Sequence, residues 1–564
     1  MKRKLYIFLC LLFLLLGKIA TSCKIASKSN TDSLEVKVNK LFSEWDKPDS
    51  PGVALAVVKD GSVVYKQGYG LANLEYNIPI IPSTIFHVAS VSKQFTAFAI
   101  VLLAQQGKLS LDDDIRKHLP EVPDFGKTIR IRHLIHHISG LRDQWELLVM
   151  AGWRLDDVIT KEHILKMVRH QRELNFAPGE EYLYCNTGFT LLAEIVARVS
   201  GHSFAEWTER NIFKPLGMTN TQFYDDHEKI VKNRAYSYSP LKKGGFKKRV
   251  LSYANVGATS LFTTVEDMSK WVNNFNDQRV GGKAVIEQMH EQGVLNNGKK
   301  ISYVFDLVIG NHKGLKTVSH SGGDAGYRSH VVRFPEQKFA VVILGNRSAL
   351  NPSRLSMQVA DIYLADWIQP EKPKKKSERK IAKIDPAVYE TYAGKYWFQL
   401  GFFITITKEN NRLMVKLTGQ PKVEILPESE TRFFIKETGS QLTFHLNNIG
   451  QVIQLTFRRG SVDMSGEKLN PPVLDERKLA EYIGDYYSDE LGTTYTIVVK
   501  NNKLVAQHRR HSDMLLNPTI EDRFEGPLWF FGRIHFTRNK ENRVVGFKLT
   551  GGRVRNLSFV KQYK

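Results

Sequence analysis

Ser90-Val91-Ser92-Lys93 stands at the head of an apolar run over residues 95–104. A serine at a helix start and a lysine three residues on share one helix face, so the amine lies beside the hydroxyl it would deprotonate. That places a nucleophile next to a base. Two further motifs follow at wide intervals, Tyr184-Cys185-Asn186 and His320-Ser321-Gly322, and together the three read as one active site. The S-x-x-K spacing recurs at Ser239/Lys242, Ser377/Lys380, Ser465/Lys468 and Ser558/Lys561, but only Ser90 opens a buried-looking helix. Tyr253-Ala254-Asn255 repeats Y-x-N and His312-Lys313-Gly314 repeats H-x-G, both in poorer surroundings.

The elements that must position these residues change character along the chain. Residues 53–69 form two alternating apolar segments joined across Lys59-Asp60-Gly61, a hairpin signal. Residues 84–276 are mostly helical in pattern. Strand-like runs return at 302–309, 327–334 and 339–344, ahead of an amphipathic stretch over 352–367. Early strands, a helical middle and late strands predict an α+β domain, one antiparallel sheet built from both chain ends and flanked by helices. Beyond a basic linker at 370–383 the texture is β throughout and repeats itself. Tyr392-Ala393-Gly394-Lys395-Tyr396 recurs as Tyr482-Ile483-Gly484-Asp485-Tyr486, Arg432-Phe433 as Arg523-Phe524, and Val452-Ile453 as Val544-Val545. A period of roughly 90 residues is the size of a small domain. The expected organisation is therefore a leader at 1–22, a hydrolase domain at 23–369, the linker, and two barrel-like β-domains at 384–471 and 472–564.

Met1-Lys2-Arg3-Lys4 followed by the apolar stretch 5–16 matches a secretory leader, too short to span a bilayer. Ala20-Thr21-Ser22-Cys23 is a loose lipobox, which makes Cys23 the expected lipidation site and membrane association through an N-terminal lipid the expected anchoring. The location expected is the periplasm or outer envelope. Of three cysteines, Cys23 and Cys185 follow the leader, and Cys185 lies inside a site motif, so no structural disulfide is expected. Cys185 reads as a serine-sized spacer. His133, His136 and His137 read as structural residues, and neither a metal nor another cofactor is expected. The net charge of +22 lacks aromatic-interleaved basic blocks, which argues against nucleic acid and fits an anionic envelope polymer as partner.

Five ordered blocks carry a likeness to a known superfamily: PGVALAVVKDG (51–61), FHVASVSKQFTA (86–97), IRHLIHHISGLRD (131–143), PGEEYLYCNTGF (178–189) and HSGGDAGYRSHVVRFPEQKFAVVILGN (320–346). The chain resembles the serine β-lactamase and penicillin-binding-protein superfamily, and within it the class C β-lactamase, family VIII esterase and D-aminopeptidase branch. The resemblance implies Ser90 as nucleophile, Lys93 and Tyr184 as the proton path with the base left open between them, and backbone N–H groups of Ser90 and Gly323 as the oxyanion hole. It also implies that Asn186 binds the substrate amide and orients Lys93, and that His320 and Gly322 contact substrate. Histidine at 320 replaces the lysine of classical β-lactamases and is mostly neutral near pH 7, so slow or absent β-lactam turnover is expected. The reading is an exported serine hydrolase that forms an acyl-enzyme on a small-molecule or peptide substrate, whether a D-amino-acid peptide, a peptidoglycan-derived peptide or a small ester. The alternatives are a catalytically silent envelope binding protein and a true class C-type β-lactamase.

Overall fold

The computed structural model describes residues 33–368, 379–398, 403–417, 420–460 and 462–563. The expected leader, Cys23 and residues 370–378 of the linker lie outside the described residues. A short N-terminal unit ends at Glu44 and contains the helix Leu34–Phe42; Trp45 to Lys564 form the other unit.

The first strands, β1 (Val53–Lys59) and β2 (Ser62–Tyr69), form the expected hairpin. Late in the hydrolase domain come β3 (Tyr303–Val304), β4 (Leu307–His312), β5 (Leu315–Asp324), β6 (Tyr327–Phe334) and β7 (Phe339–Gly345). They build one antiparallel sheet in the order β3-β4-β5-β6-β7-β1-β2, so the two chain ends meet where β1 pairs with β7. Every residue of β7 and all but the last of β1 are buried, because helices cover both faces of the sheet centre. The expected strand over 302–309 is broken at Phe305 and Asp306, which take φ values of +33° and +62°.

Behind the sheet, α1 (Lys93–Gln105) is buried from Lys93 to Leu103, the condition its nearly all-apolar composition demands. Phe95 and Phe98 pack on Trp271, with ring centroids 4.2 Å and 5.1 Å apart. The region expected to be helical also holds strand pairs of two to four residues, Phe86–His87 with Leu261–Thr263 and Ile159–Thr160 with Tyr253–Ala254 among them. Segments that short carry no readable periodicity.

The C-terminal part is two β-modules. Eight strands from Gly394–Phe398 to Val462–Lys468 close into a barrel. Nine strands from Gly484–Ser488 to Leu557–Gln562 form the second sheet, whose ends are His511–Leu515 and Asn517–Ile520. The sequence repeat is a structural one. Tyr396 Oη donates to the Tyr392 carbonyl at 2.7 Å, and Tyr486 Oη to the Tyr482 carbonyl at 2.7 Å. Gly394 and Gly484 take φ values of +148° and +150°, and a Cβ on either would sit 2.8 Å from Cε of Lys468 or Lys561.

The two modules bury their apolar residues differently. The barrel has a core of its own, around Tyr396, Ile404 and Phe433. The second module shares one continuous apolar cluster with the hydrolase domain, from Met150 and Leu147 to Tyr495 and Phe531. It is therefore part of the hydrolase body in energetic terms.

Candidate active site

Ser90 lies on the 3-10 turn Ala89–Ser92 that leads into α1. The turn is fastened on several sides. The Val88 carbonyl accepts the Ser329 hydroxyl at 2.7 Å, and Ser92 Oγ accepts the Leu261 N–H at 3.1 Å. Ala89, just before Ser90, is held at φ +50°, a left-handed conformation that non-glycine residues adopt at a cost and that marks over-determined sites. Lys93 projects back one helical turn, and its Nζ donates to Ser90 Oγ at 3.1 Å and to the Ala258 carbonyl at 2.6 Å.

The Lys93 side chain is fully buried, and desolvation lowers its pKa to about 8, against the opposing pull of Asp306 and Asp143. A large share of this amine is neutral at mildly alkaline pH. Tyr184 is the reverse case. Burial, with Asp306 adding to it, holds the phenol well above its ordinary range, while Ser90 and Arg553 pull it down only partly. Its ring carries Lys93 Nζ at 5.0 Å and packs on His137 at 4.2 Å.

The histidine block does structural work. His133 Nδ1 accepts the Arg130 N–H, and His137 Nδ1 accepts the Cys185 N–H, which fixes the backbone beside Tyr184. Cys185 is buried with its Sγ 3.3 Å from the Leu141 carbonyl, and burial raises its thiol to about 12, so it is no nucleophile at neutral pH.

A cavity of about 350 Å³ opens over Ser90. Tyr184, Asn186, His320 and Gly323 line it with Ser90, so the structure brings the three sequence motifs together. Two expectations change in detail. Gly322 does not line this cavity: a Cβ there would lie 2.2 Å from the Val88 carbonyl and 2.3 Å from Ser329 Oγ, so the glycine lets β5 close on the Ser90 turn. Gly323, whose added Cβ would meet nothing nearer than Arg328 at 3.5 Å, is the one that faces the cavity. Asn186 makes no hydrogen bond to Lys93 among the described residues; its Nδ2 and backbone N–H both donate to Asp143 Oδ2, at 2.7 Å and 2.8 Å. His320 borders the cavity, but its Nε2 turns to Tyr303 Oη at 2.9 Å and lies 3.3 Å from Asp306. Burial first, then Lys93, lower its pKa to about 3, so it carries no charge.

Sequence reasoning missed several lining residues, among them Trp145, Tyr253, Asp324 and Arg553. Trp145 stacks on Tyr253 at 4.6 Å, so the second Y-x-N motif forms part of the cleft wall. Asp324, raised to about 6 by burial, receives the Thr259 hydroxyl at 3.2 Å. Arg553 comes from the second β-module, 463 residues after Ser90. Its guanidinium lies 4.8 Å from the Tyr184 ring centroid, 3.8 Å from Asp143, and remains 44% exposed.

The loop that carries Arg553 is clamped to the hydrolase domain. Gly552 and Arg553 donate their backbone N–H groups to the Glu146 carboxylate. The Arg553 carbonyl accepts Asn175 Nδ2 at 2.9 Å, and Arg555 pairs with Glu181 at 3.0 Å. Nearby, Arg142 and Glu490 form a buried ion pair at 2.6 Å. A loop from the modules lines the cleft.

This antiparallel sheet, with a serine–lysine pair on a turn packed against β5 and β6, defines a serine hydrolase of the β-lactamase and penicillin-binding-protein type. Comparison with known proteins agrees. The chain belongs to the Beta-lactamase family, whose profile matches residues 38–365. A second profile, a domain of unknown function (DUF3471), matches residues 378–471, the end of the linker and the closed barrel. Penicillin-binding protein 4* of Bacillus subtilis is 29% identical over 433 residues, 74% of this chain and 94% of that protein. A D-aminopeptidase of Gluconobacter oxydans is 28% identical over 65% of this chain and 67% of its own length. Among solved structures, the octameric penicillin-binding protein homologue from Pyrococcus abyssi superposes with a TM-score of 0.55 at 26% identity, over 77% of this chain and 99% of that one.

Proposed function

We propose that this serine hydrolase opens an amide bond of a short peptide or amino-acid amide through an acyl-enzyme, in the manner suggested by relatives named D-aminopeptidase. One observation carries the reading: Lys93 Nζ, buried and lowered to about 8, lies 3.1 Å from Ser90 Oγ. Neutral Lys93 takes the Ser90 proton as Oγ bonds to the carbonyl carbon. The Tyr184 phenol, held protonated by its burial, gives its proton to the departing nitrogen as the C–N bond breaks, and recovers one from Lys93. The N–H groups of Ser90 and Gly323 hold the oxyanion, an arrangement in which one donor is worth about 3 to 4 kcal/mol. Water then releases the acyl group.

Arg553 is the cleft's exposed cation and is proposed to hold a carboxylate of the substrate. It lies over Tyr184 and not at the strand position of the missing K-T-G lysine, so β-lactams remain poor substrates in this reading. The leader-like residues 1–22 and Cys23 support export and lipid anchoring in the envelope.

The experiment is intact-mass analysis after treatment with a fluorophosphonate ester, followed by a panel of D-amino-acid amides, short peptides and a chromogenic cephalosporin. One adduct on wild type and none on Ser90→Ala is expected, with amides turned over faster than the cephalosporin. An unmodified, folded wild type would sink the proposal.

A further inference from the structure

We propose that the cavity between the two β-modules is a binding site for an acidic sugar, a ring bearing a carboxylate or phosphate. The cavity measures about 270 Å³ and receives Trp397 and Phe403 from the barrel and Arg523, Phe524, Arg533 and Lys548 from the second module. It is separate from the cleft over Ser90, and the proposal stands whether or not the catalytic reading does.

The charges in this cavity lack internal partners. Arg523 pairs in register with His535, and His535 with Lys548, so three basic residue types form one row across three adjacent strands. Arg533 follows on the same strand as His535, two residues away and on the same face. Arg523 and Lys548 thus flank His535, and the acid opposite Arg533, Glu525, is already engaged by Lys395. Among the described residues, Arg523, Arg533 and Lys548 have no ion-pair partner, and the one acid on the cavity wall is Glu467. Arg533 is half-buried, with its guanidinium 5.1 Å from the Trp397 ring centroid. Burial, then Arg555 and Arg523, press its charge in the unfavourable direction. His535 is likewise held below its ordinary value by burial and then Arg523, with Asp522 opposing and Lys548 adding to the effect.

The indole N–H of Trp397 is buried without an acceptor, a second unmet demand on the same wall. An oxyanion would meet the guanidinium and ammonium groups, which bind carboxylate and phosphate well. The rings of Trp397, Phe403 and Phe524 supply the apolar wall that small-ligand sites combine with a few convergent polar groups. Thr550 and Asn556 also line the cavity and bracket the loop that carries Arg553, so the ligand would rest against the stem of that loop.

The test is isothermal titration of the full chain with glucuronate and glucose 6-phosphate, and with glucose as the neutral control. At least one acid should bind saturably and glucose should not; Arg533→Gln should weaken binding about tenfold or more. Which acid binds separates carboxylate from phosphate chemistry. A thermal melt tells a ligand site from a structural role. Arg523→Gln/Lys548→Gln should melt no lower than wild type without ligand, and should lose the rise that the acid gives wild type. Absence of saturable binding by either acid up to about 10 mM overturns the proposal. So does binding that both variants leave intact, or a double variant that melts below wild type without ligand.

Discussion

Replacing Lys93 by methionine keeps an unbranched chain in the same buried slot and removes the one group argued to act as base. The lysine pKa falls from 10.5 to about 8 through burial, and at ~1.36 kcal/mol per unit the folded protein spends about 3 kcal/mol to carry this ammonium at neutral pH. The folded value lies below the unfolded one, so between pH 8 and 10.5 the unfolded chain binds more protons and stability rises with pH. Integrated from pH 6.5 to 9.5, the gain is about 2 kcal/mol in wild type, and Lys93→Met should show none of it. Urea unfolding of both proteins at four pH values across that range, followed by tryptophan fluorescence in the transition of the hydrolase domain, measures the difference. The same variant should lose hydrolysis by a factor on the order of a thousand. In wild type, kcat/KM should climb with pH about a midpoint near 8, because the free enzyme's base must be neutral. A wild-type-minus-variant stability difference that stays flat to pH 9.5 would mean that the amine remains charged, and Lys93 could not be the base.

Three further outcomes follow from contacts already described. Arg553→Gln should raise KM about tenfold for a peptide with a free carboxylate and leave its amidated counterpart unchanged; equal effects on both would remove the carboxylate role. Glu490→Gln strands Arg142 in a buried site, a loss of about 3 to 5 kcal/mol for pairs of this kind, and limited proteolysis should then release the second β-module that wild type retains. Gly322→Ala should lower both melting temperature and activity, since its Cβ would press on the Val88 carbonyl beneath the Ser90 turn, whereas Gly323→Ala should melt like wild type. Matching melts for the two would contradict the packing role of Gly322.

The parts of the site that could be read from the sequence are those fixed by local chemistry. Ser90 and Lys93 lie within one helical turn, so spacing set their geometry, whereas Tyr184, two residues before the helix that opens at Asn186, was joined to them by the resemblance of its motif. The sheet was legible because β1 and β7 carry runs of apolar residues of strand length. What spacing could not show is direction in space. Gly322 and Gly323 are neighbours on one strand, so they point to opposite faces, and nothing in the two letters says which face meets substrate. Asn186 was expected to turn toward Lys93, but Asp143 captures both its amide and its backbone N–H. Arg553 was invisible for a different reason: its position depends on how a distant module docks, through Arg142, Glu146 and Asn175, none of which forms a motif with it.

That docking bears on how the family's chemistry is directed at a substrate. The serine, lysine and tyrosine are held by the hydrolase domain's own helices and strands, and they can transfer an acyl group whatever occupies the rest of the cleft. The charge that would choose the substrate is delivered by a loop of five residues, 551–555, on a module joined by a shared apolar core and a buried ion pair. Rigid scaffolds with selective loops let recognition change without disturbing the reacting groups. Here the loop is less free than most. A Cβ at Gly551 would lie 1.7 Å from Glu146 Oε1, and the Glu146 carboxylate must be desolvated, with its pKa raised to about 8, to accept the two backbone donors. Energy of that kind is invested where position matters. The second β-module is thus better understood as the fourth wall of the cleft than as a tether, whereas the closed barrel keeps a core of its own.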